Sequence, residues 1–128
     1  MTARPIALEG EGRSASPIAM EAFQGIAEHW GLSTDEQLKL LGSPGRSTFF
    51  KWKKEGGIIP RDTLERISHL LAIWKALQII FTDTDAADGW IKRPNAYFKG
   101  RSALDVMLDG QFADIFAVRQ YIDAQRGG

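Results

Sequence analysis

The sequence predicts an all-α fold: an N-terminal helix-turn-helix bundle joined by a long central helix to a small helical C-terminal domain. Three observations predict it. Nothing alternates apolar and polar residues with period two for long enough to argue a sheet. Helix punctuation recurs along the chain, at Ser33-Thr34, Ser102, Gly31, Gly42, Gly56-Gly57 and Gly110. The run from Asp62 to Phe81 carries Leu64, Ile67, Leu70, Leu71, Ile73, Trp74, Leu77, Ile80 and Phe81, apolar at helical spacing over more than one stripe.

Residues 1–15 contain Arg4, Pro5, Gly10, Gly12 and Arg13 and read as a flexible leader without the apolar run of a signal peptide. Pro17 suits the opening of a first helix, which carries Ile18, Phe23, Ile26, Ala27 and Trp30 to the stop at Gly31. Ser33 and Thr34, followed by Asp35, Glu36 and Gln37, form a capping-box signature with acids at the positive end of a short helix bearing Leu38, Leu40 and Leu41. Ser43-Pro44-Gly45 is a turn, and a third helix runs from about Arg46 to Glu55. The central helix follows, expected to pack the N-terminal unit on one side and the C-terminal unit or a second protomer on the other. Thr82-Asp83 or Thr84-Asp85 caps a short helix through Trp90, Pro94-Asn95 redirects the chain, Ser102 starts a helix to about Leu108, and Phe112 to Ala124 forms the last one. These elements divide into a leader (1–15), a first domain (16–73) and a second (74–128).

Composition narrows the function. With 128 residues, 44% hydrophobic and 25% charged, the chain fits one ordinary domain or two small helical units sharing a core. There is no cysteine, which removes disulfides and thiol chemistry, and with only two histidines, His29 and His69, no metal and no cofactor are expected. Asp83, Asp85 and Asp88 lack the glycine and glutamate that a calcium loop needs, so capping explains them better. A Gly-rich phosphate loop is missing as well, and the reading is of a protein that is not an enzyme. No apolar stretch approaches membrane-spanning length, so a cytoplasmic protein without membrane contact is expected.

Charges balance at sixteen of each sign, so any nucleic-acid face must be local. One such place exists. Between Gly42 and Lys54 there are four cations and no acid. Phe49 and Trp52, three apart, suit the core side of a helix, leaving Arg46, Ser47, Phe50, Lys51 and Lys54 outward, with Thr48 and Lys53 beside them. Arg46 at the helix start can reach a guanine edge or a phosphate, and Ser47 can donate to a phosphate near the positive N-terminus. Lys51, Lys53 and Lys54 are phosphate contacts, and Phe50 can touch a thymine methyl or lie against sugar. A solvated basic helix with core aromatics is the plainer account. The Leu-Leu-Gly turn and the capping box before the helix favour DNA. From about Leu32 to Ile73 the chain resembles the Xre-type helix-turn-helix regulators, with a connection about one residue longer than the commonest form.

The stretch "WIKRPNAYFKGRSALDVMLDGQFADIFAVRQYIDAQRGG", residues 90–128, is similar in residue order to the toxin-binding domain of the Xre/MbcA/ParS antitoxins. Matching features are Trp90, Pro94-Asn95, Phe98 with Gly100, Ser102-Ala103-Leu104-Asp105, Gly110, Val118 with Tyr121-Ile122, and the closing Arg-Gly-Gly. Ala103 stands where members often have proline. The resemblance implies an antitoxin of a type II pair whose toxin carries a RES domain and destroys NAD, with the antitoxin's C-terminal region covering the toxin's cleft and the complex repressing its own promoter. Carried over by position, Trp90, Asn95, Phe98, Arg101 and Arg119 fall in the toxin-binding region, and Arg126, Gly127 and Gly128 form a plug. In the last helix Phe112, Ile115, Phe116 and Ile122 are expected on one face; Arg119 falls within it and either pairs with Asp123 or Asp105 or reaches a partner.

Two other functions fit the same residues. A free-standing dimeric regulator would use its C-terminal half only to dimerise or bind a ligand, and an interaction module would keep the scaffold without DNA. Modules of this kind work as symmetric dimers on half-sites about one helical turn apart, and the wide apolar face of the central helix suits a homodimer contact.

Overall fold

The computed structural model describes residues 12–127. Among them are seven α-helices and two short 3-10 turns, and the sole β-type contact is an isolated antiparallel bridge between Pro94 and Ser102. The flexible leader expected at 1–15 lies outside the described residues except for 12–15, which belong to the first helix.

Helix α1 spans Gly12–Trp30, so the expected start at Pro17 is corrected: that proline lies inside the helix, with its ring exposed. An interior proline forfeits its own backbone bond. What holds the turn is tertiary, since the hydroxyl of buried Ser16 accepts a bond from the Ile59 amide at 2.9 Å. From there Ala19, Met20, Phe23, Ile26, Ala27 and Trp30 turn inward at helical spacing.

Helix α2, Thr34–Leu40, begins on a complete capping box: Ser33 Oγ accepts from the Glu36 amide at 3.1 Å, and Glu36 Oε1 accepts from the Ser33 amide at 2.9 Å. Its C-terminus closes through left-handed Gly42 (φ 94°) and Ser43 (φ 62°), with the Ser43 amide bonded to the Leu38 carbonyl at 2.8 Å. Glycine is needed at 42 for space as well, because a Cβ there would meet Arg66 Nε at 3.1 Å. This corner sends the chain into α3, Arg46–Glu55.

Helix α4, Arg61–Ile80, is the centre of the molecule. It packs against α1, α5 (Thr84–Gly89) and α7 (Phe112–Gln125). Between these last two run the 3-10 turns Trp90–Lys92 and Ala96–Phe98 and helix α6, Ala103–Met107. One continuous core joins Phe23 and Trp30 of α1, Phe49 of α3, Leu70 and Ile73 of α4, Met107 of α6 and Val118 of α7. The wide apolar surface of α4 is thereby covered within the chain, and its large exposed residues are Ile79 and Ile80.

Two polar links cross between the halves. Buried Arg66 donates from Nε to Asp62 Oδ2 at 3.0 Å and from Nη1 to the carbonyls of Leu40, at the end of α2, and Gly110, before α7, at 3.5 and 3.2 Å. Asp88 of α5 meets His29 Nδ1 of α1 at 2.9 Å and accepts from Trp74 Nε1 and Gln78 Nε2 of α4 at 3.2 and 2.9 Å. Asp83 caps α5 by accepting from the Ala86 amide.

Candidate nucleic-acid and partner-protein surfaces

α3 divides its residues as its spacing dictates. Phe49 is fully buried and Trp52 nearly so, while Arg46, Ser47, Thr48, Phe50, Lys51, Lys53 and Lys54 are exposed. The cations are not equivalent. Lys53 Nζ sits over the rings of Phe49 and Phe50, 5.3 and 5.4 Å from their centroids, and the Arg46 guanidinium lies 6.0 Å from the Phe50 centroid. Arg46 Nη1 also donates to Asp35 Oδ1 at 2.8 Å. The acid-free stretch seen in the chain therefore acquires an acid in space, brought by the first turn of α2. Lys51 and Lys54 have no ion pair among the described residues.

The residues assigned to partner binding fall in separate places. Trp90 and Phe98 join Tyr97 and Tyr121 in an aromatic cluster. Trp90 stacks on Tyr121 at 6.1 Å between centroids, Tyr97 approaches Tyr121 at 4.4 Å, and Phe98 meets it edge-on at 5.4 Å. Beside them Leu77, Phe81, Trp90, Tyr121 and Ile122 line a cavity of about 140 Å³. Asn95 shapes the backbone under this cluster, its Oδ1 accepting from the Tyr97 amide at 2.8 Å and its carbonyl from the Gly100 amide at 3.0 Å. Arg101 is engaged elsewhere: it grips Asp109 with two N–H groups at 2.9 and 3.0 Å and donates to the Asp105 carbonyl at 2.8 Å. That hydrogen-bonded contact raises the arginine's pKa and lowers the aspartate's.

On α7 the buried face consists of Ile115, Val118 and Ile122. The expected face is corrected in two members, since Phe112 is only half-buried and Phe116 is exposed, the two stacking on each other beside His69. Arg119 pairs with Asp123, Nε to Oδ2 at 3.5 Å, and not with Asp105; its Nη1 reaches His69 Nδ1 at 2.9 Å. Burial, then the Arg119 charge, holds the His69 pKa below 6.5. Arg119, Asp123, Arg126 and Gly127 together line a shallow depression of about 410 Å³ at the end of α7. Gly128 lies outside the described residues.

Comparison with known families decides what these surfaces belong to. A family model described as the antitoxin Xre-like helix-turn-helix domain matches residues 10–72, and one described as the antitoxin Xre/MbcA/ParS C-terminal toxin-binding domain matches residues 76–128. The chain belongs to the Xre-type antitoxins. It is also similar to a protein of Sinorhizobium fredii named uncharacterized protein y4oB, 65% identical over 112 residues, covering 88% of this chain and 87% of that protein.

In the antitoxin, the matched helix-turn-helix region contains α3 and the matched toxin-binding region contains both the aromatic cluster and the end of α7. Sequence reasoning missed Asp35 as the partner of Arg46, His69 as the partner of Arg119, and the place of Tyr97 in the cluster. No single signal in the chain pairs residues so far apart, though Tyr97 follows Asn95 closely enough that its aromatic neighbours were available. Among the described residues no group of three His, Cys, Asp or Glu side chains could hold a metal ion, and no helix is long and apolar enough to cross a membrane.

Proposed function

We propose that this antitoxin neutralises a RES-domain toxin that degrades NAD by covering the toxin's active site. In the same reading, the antitoxin–toxin complex binds operator DNA through α3 and represses its own operon in the cytoplasm, as a homodimer within a larger assembly. The first domain, 16–73, acts on DNA and the second, 74–128, on the toxin. The observation that carries the reading is the simultaneous exposure, on separate elements of one chain, of a cationic helix in the matched helix-turn-helix region and a cationic chain end in the matched toxin-binding region. Arg46, Ser47, Thr48, Phe50, Lys51, Lys53 and Lys54 supply the DNA contacts. The aromatic cluster at Trp90 and Phe98 gives the toxin a docking area, and Arg126, Gly127 and Gly128 enter the cofactor cleft, where a guanidinium suits an anionic diphosphate. The choice of a RES toxin is supported by the residue order of 90–128.

Co-expression with the product of the adjacent gene, followed by native mass measurement and an NAD-consumption assay, tests this. A stable complex is expected, with NAD consumption abolished at excess antitoxin and restored when residues 126–128 are deleted. A partner that stays fully active beside excess antitoxin overturns the toxin-neutralising role and leaves a free-standing regulator.

A further inference from the structure

Arg46 is the first residue of α3, and residues at the start of a recognition helix are the ones that reach base edges. Its guanidinium is restrained from two sides. Asp35 takes one of its N–H groups at 2.8 Å, and the Phe50 ring, one helical turn along, lies 6.0 Å away. Phe50 is itself fixed: it packs edge-on against Phe49 at 5.3 Å and carries Lys53 at 5.4 Å, yet remains 43% exposed. The side chains of Arg46 and Asp35 are 60% and 80% exposed, and an ion pair that wet contributes little to stability. Its consequence lies in what Arg46 can bind. A phosphate brought to Arg46 would approach the Asp35 carboxylate and be repelled. A guanine edge is uncharged and offers two acceptors, so it suits the N–H groups that Asp35 leaves free. The 6.0 Å between guanidinium and ring lies within two base-pair steps of about 3.4 Å each, so both groups can meet the same short run of base edges.

We infer that Asp35 is a positioning residue for base readout: it orients Arg46 toward a guanine while Phe50 contacts the 5-methyl group of a thymine within two base pairs of it, so that each half-site is read at a guanine with a thymine close by. This rests on the reading of α3 as a DNA-binding helix.

The test is selection from a random duplex library with the full chain, followed by affinity measurements on the enriched site. Enrichment of a guanine with a thymine within two base pairs is expected. Replacing that guanine by 7-deazaguanine, which removes N7 and keeps O6, should weaken wild type by part of the roughly 5- to 150-fold that a whole bidentate pair is worth, and leave Arg46→Ala unaffected. Replacing the thymine by deoxyuridine, which removes only the methyl group, should weaken wild type but not Phe50→Ala. Asp35→Ala should act in two opposite directions. Binding to bulk DNA tightens because a negative charge is lost, while discrimination at the guanine falls about two- to twelvefold, the value of releasing one restrained side chain. An unchanged guanine preference in Asp35→Ala, or equal binding of the 7-deazaguanine site by wild type, would overturn the inference while leaving DNA binding intact. If wild type binds no duplex at low salt, the DNA-binding reading falls first and takes this with it.

Discussion

His69 and Arg119 show what a residue's neighbours do to its chemistry. In the sequence, His69 is one of two histidines, too few for a metal site, and Arg119 is a charge at an apolar step of the last helix. Their contact joins positions fifty residues apart, which no local pattern reveals. In the fold, burial and then the Arg119 guanidinium disfavour the histidine cation, while Glu65 and Asp123 oppose them less strongly. Since the folded pKa lies below 6.5, the unfolded chain takes up the proton first. Stability is therefore expected to fall as pH drops below about 6.5, and to stop falling on this account below the folded pKa. Urea unfolding at pH 7.5 and 5.5 measures it: His69→Gln should lose less stability than wild type over that interval. An identical pH slope in the variant would assign the acid sensitivity to other groups.

At the scale of the element, caps and spacing were legible where they act locally. The capping box at Ser33, the cap at Ser102 and the inward pair Phe49 and Trp52 all follow from short-range chemistry. Two features were not. The start of α1 was obscured because proline favours a first turn, whereas here the Ser16 to Ile59 bond and the core face carry the helix past Pro17. The face of α7 was obscured because Phe112, Ile115, Phe116, Val118 and Ile122 wrap around the helix, and only packing selects the buried subset. For α3 the surroundings rank the lysines. Lys51→Ala and Lys54→Ala should each lower the slope of log affinity against log salt by about 0.9, and weaken all sequences alike. Lys53→Ala should lower it less, since its ammonium already rests on two rings. Anisotropy titrations at several salt concentrations measure the slopes; equal values for all three variants and wild type would remove α3 from the phosphate backbone.

The molecule as a whole is organised by α4, within which the two family matches meet. Its breadth of apolar surface was legible; the identity of what covers it was not, because a stripe in sequence does not say whether a second copy or the chain's own end lies against it. The structure covers it with α1, α5 and α7, in one core that Arg66 and Asp88 bridge with hydrogen bonds. A cut at residue 75 would separate Leu70 and Ile73 from Ile115, Val118 and Ile122 of α7, all buried in the one core that both fragments would have to share. Each buried aliphatic side chain contributes roughly 1.5–3 kcal/mol, so this set is comparable with the whole stability of a domain this size. Fragments 1–75 and 76–128 are therefore expected to lack cooperative urea transitions separately, measured by circular dichroism, where the full chain shows a single one. A sharp transition in fragment 76–128 alone would mean that the toxin-binding end folds on its own, and that α4 is a tether between two bodies and not a shared core.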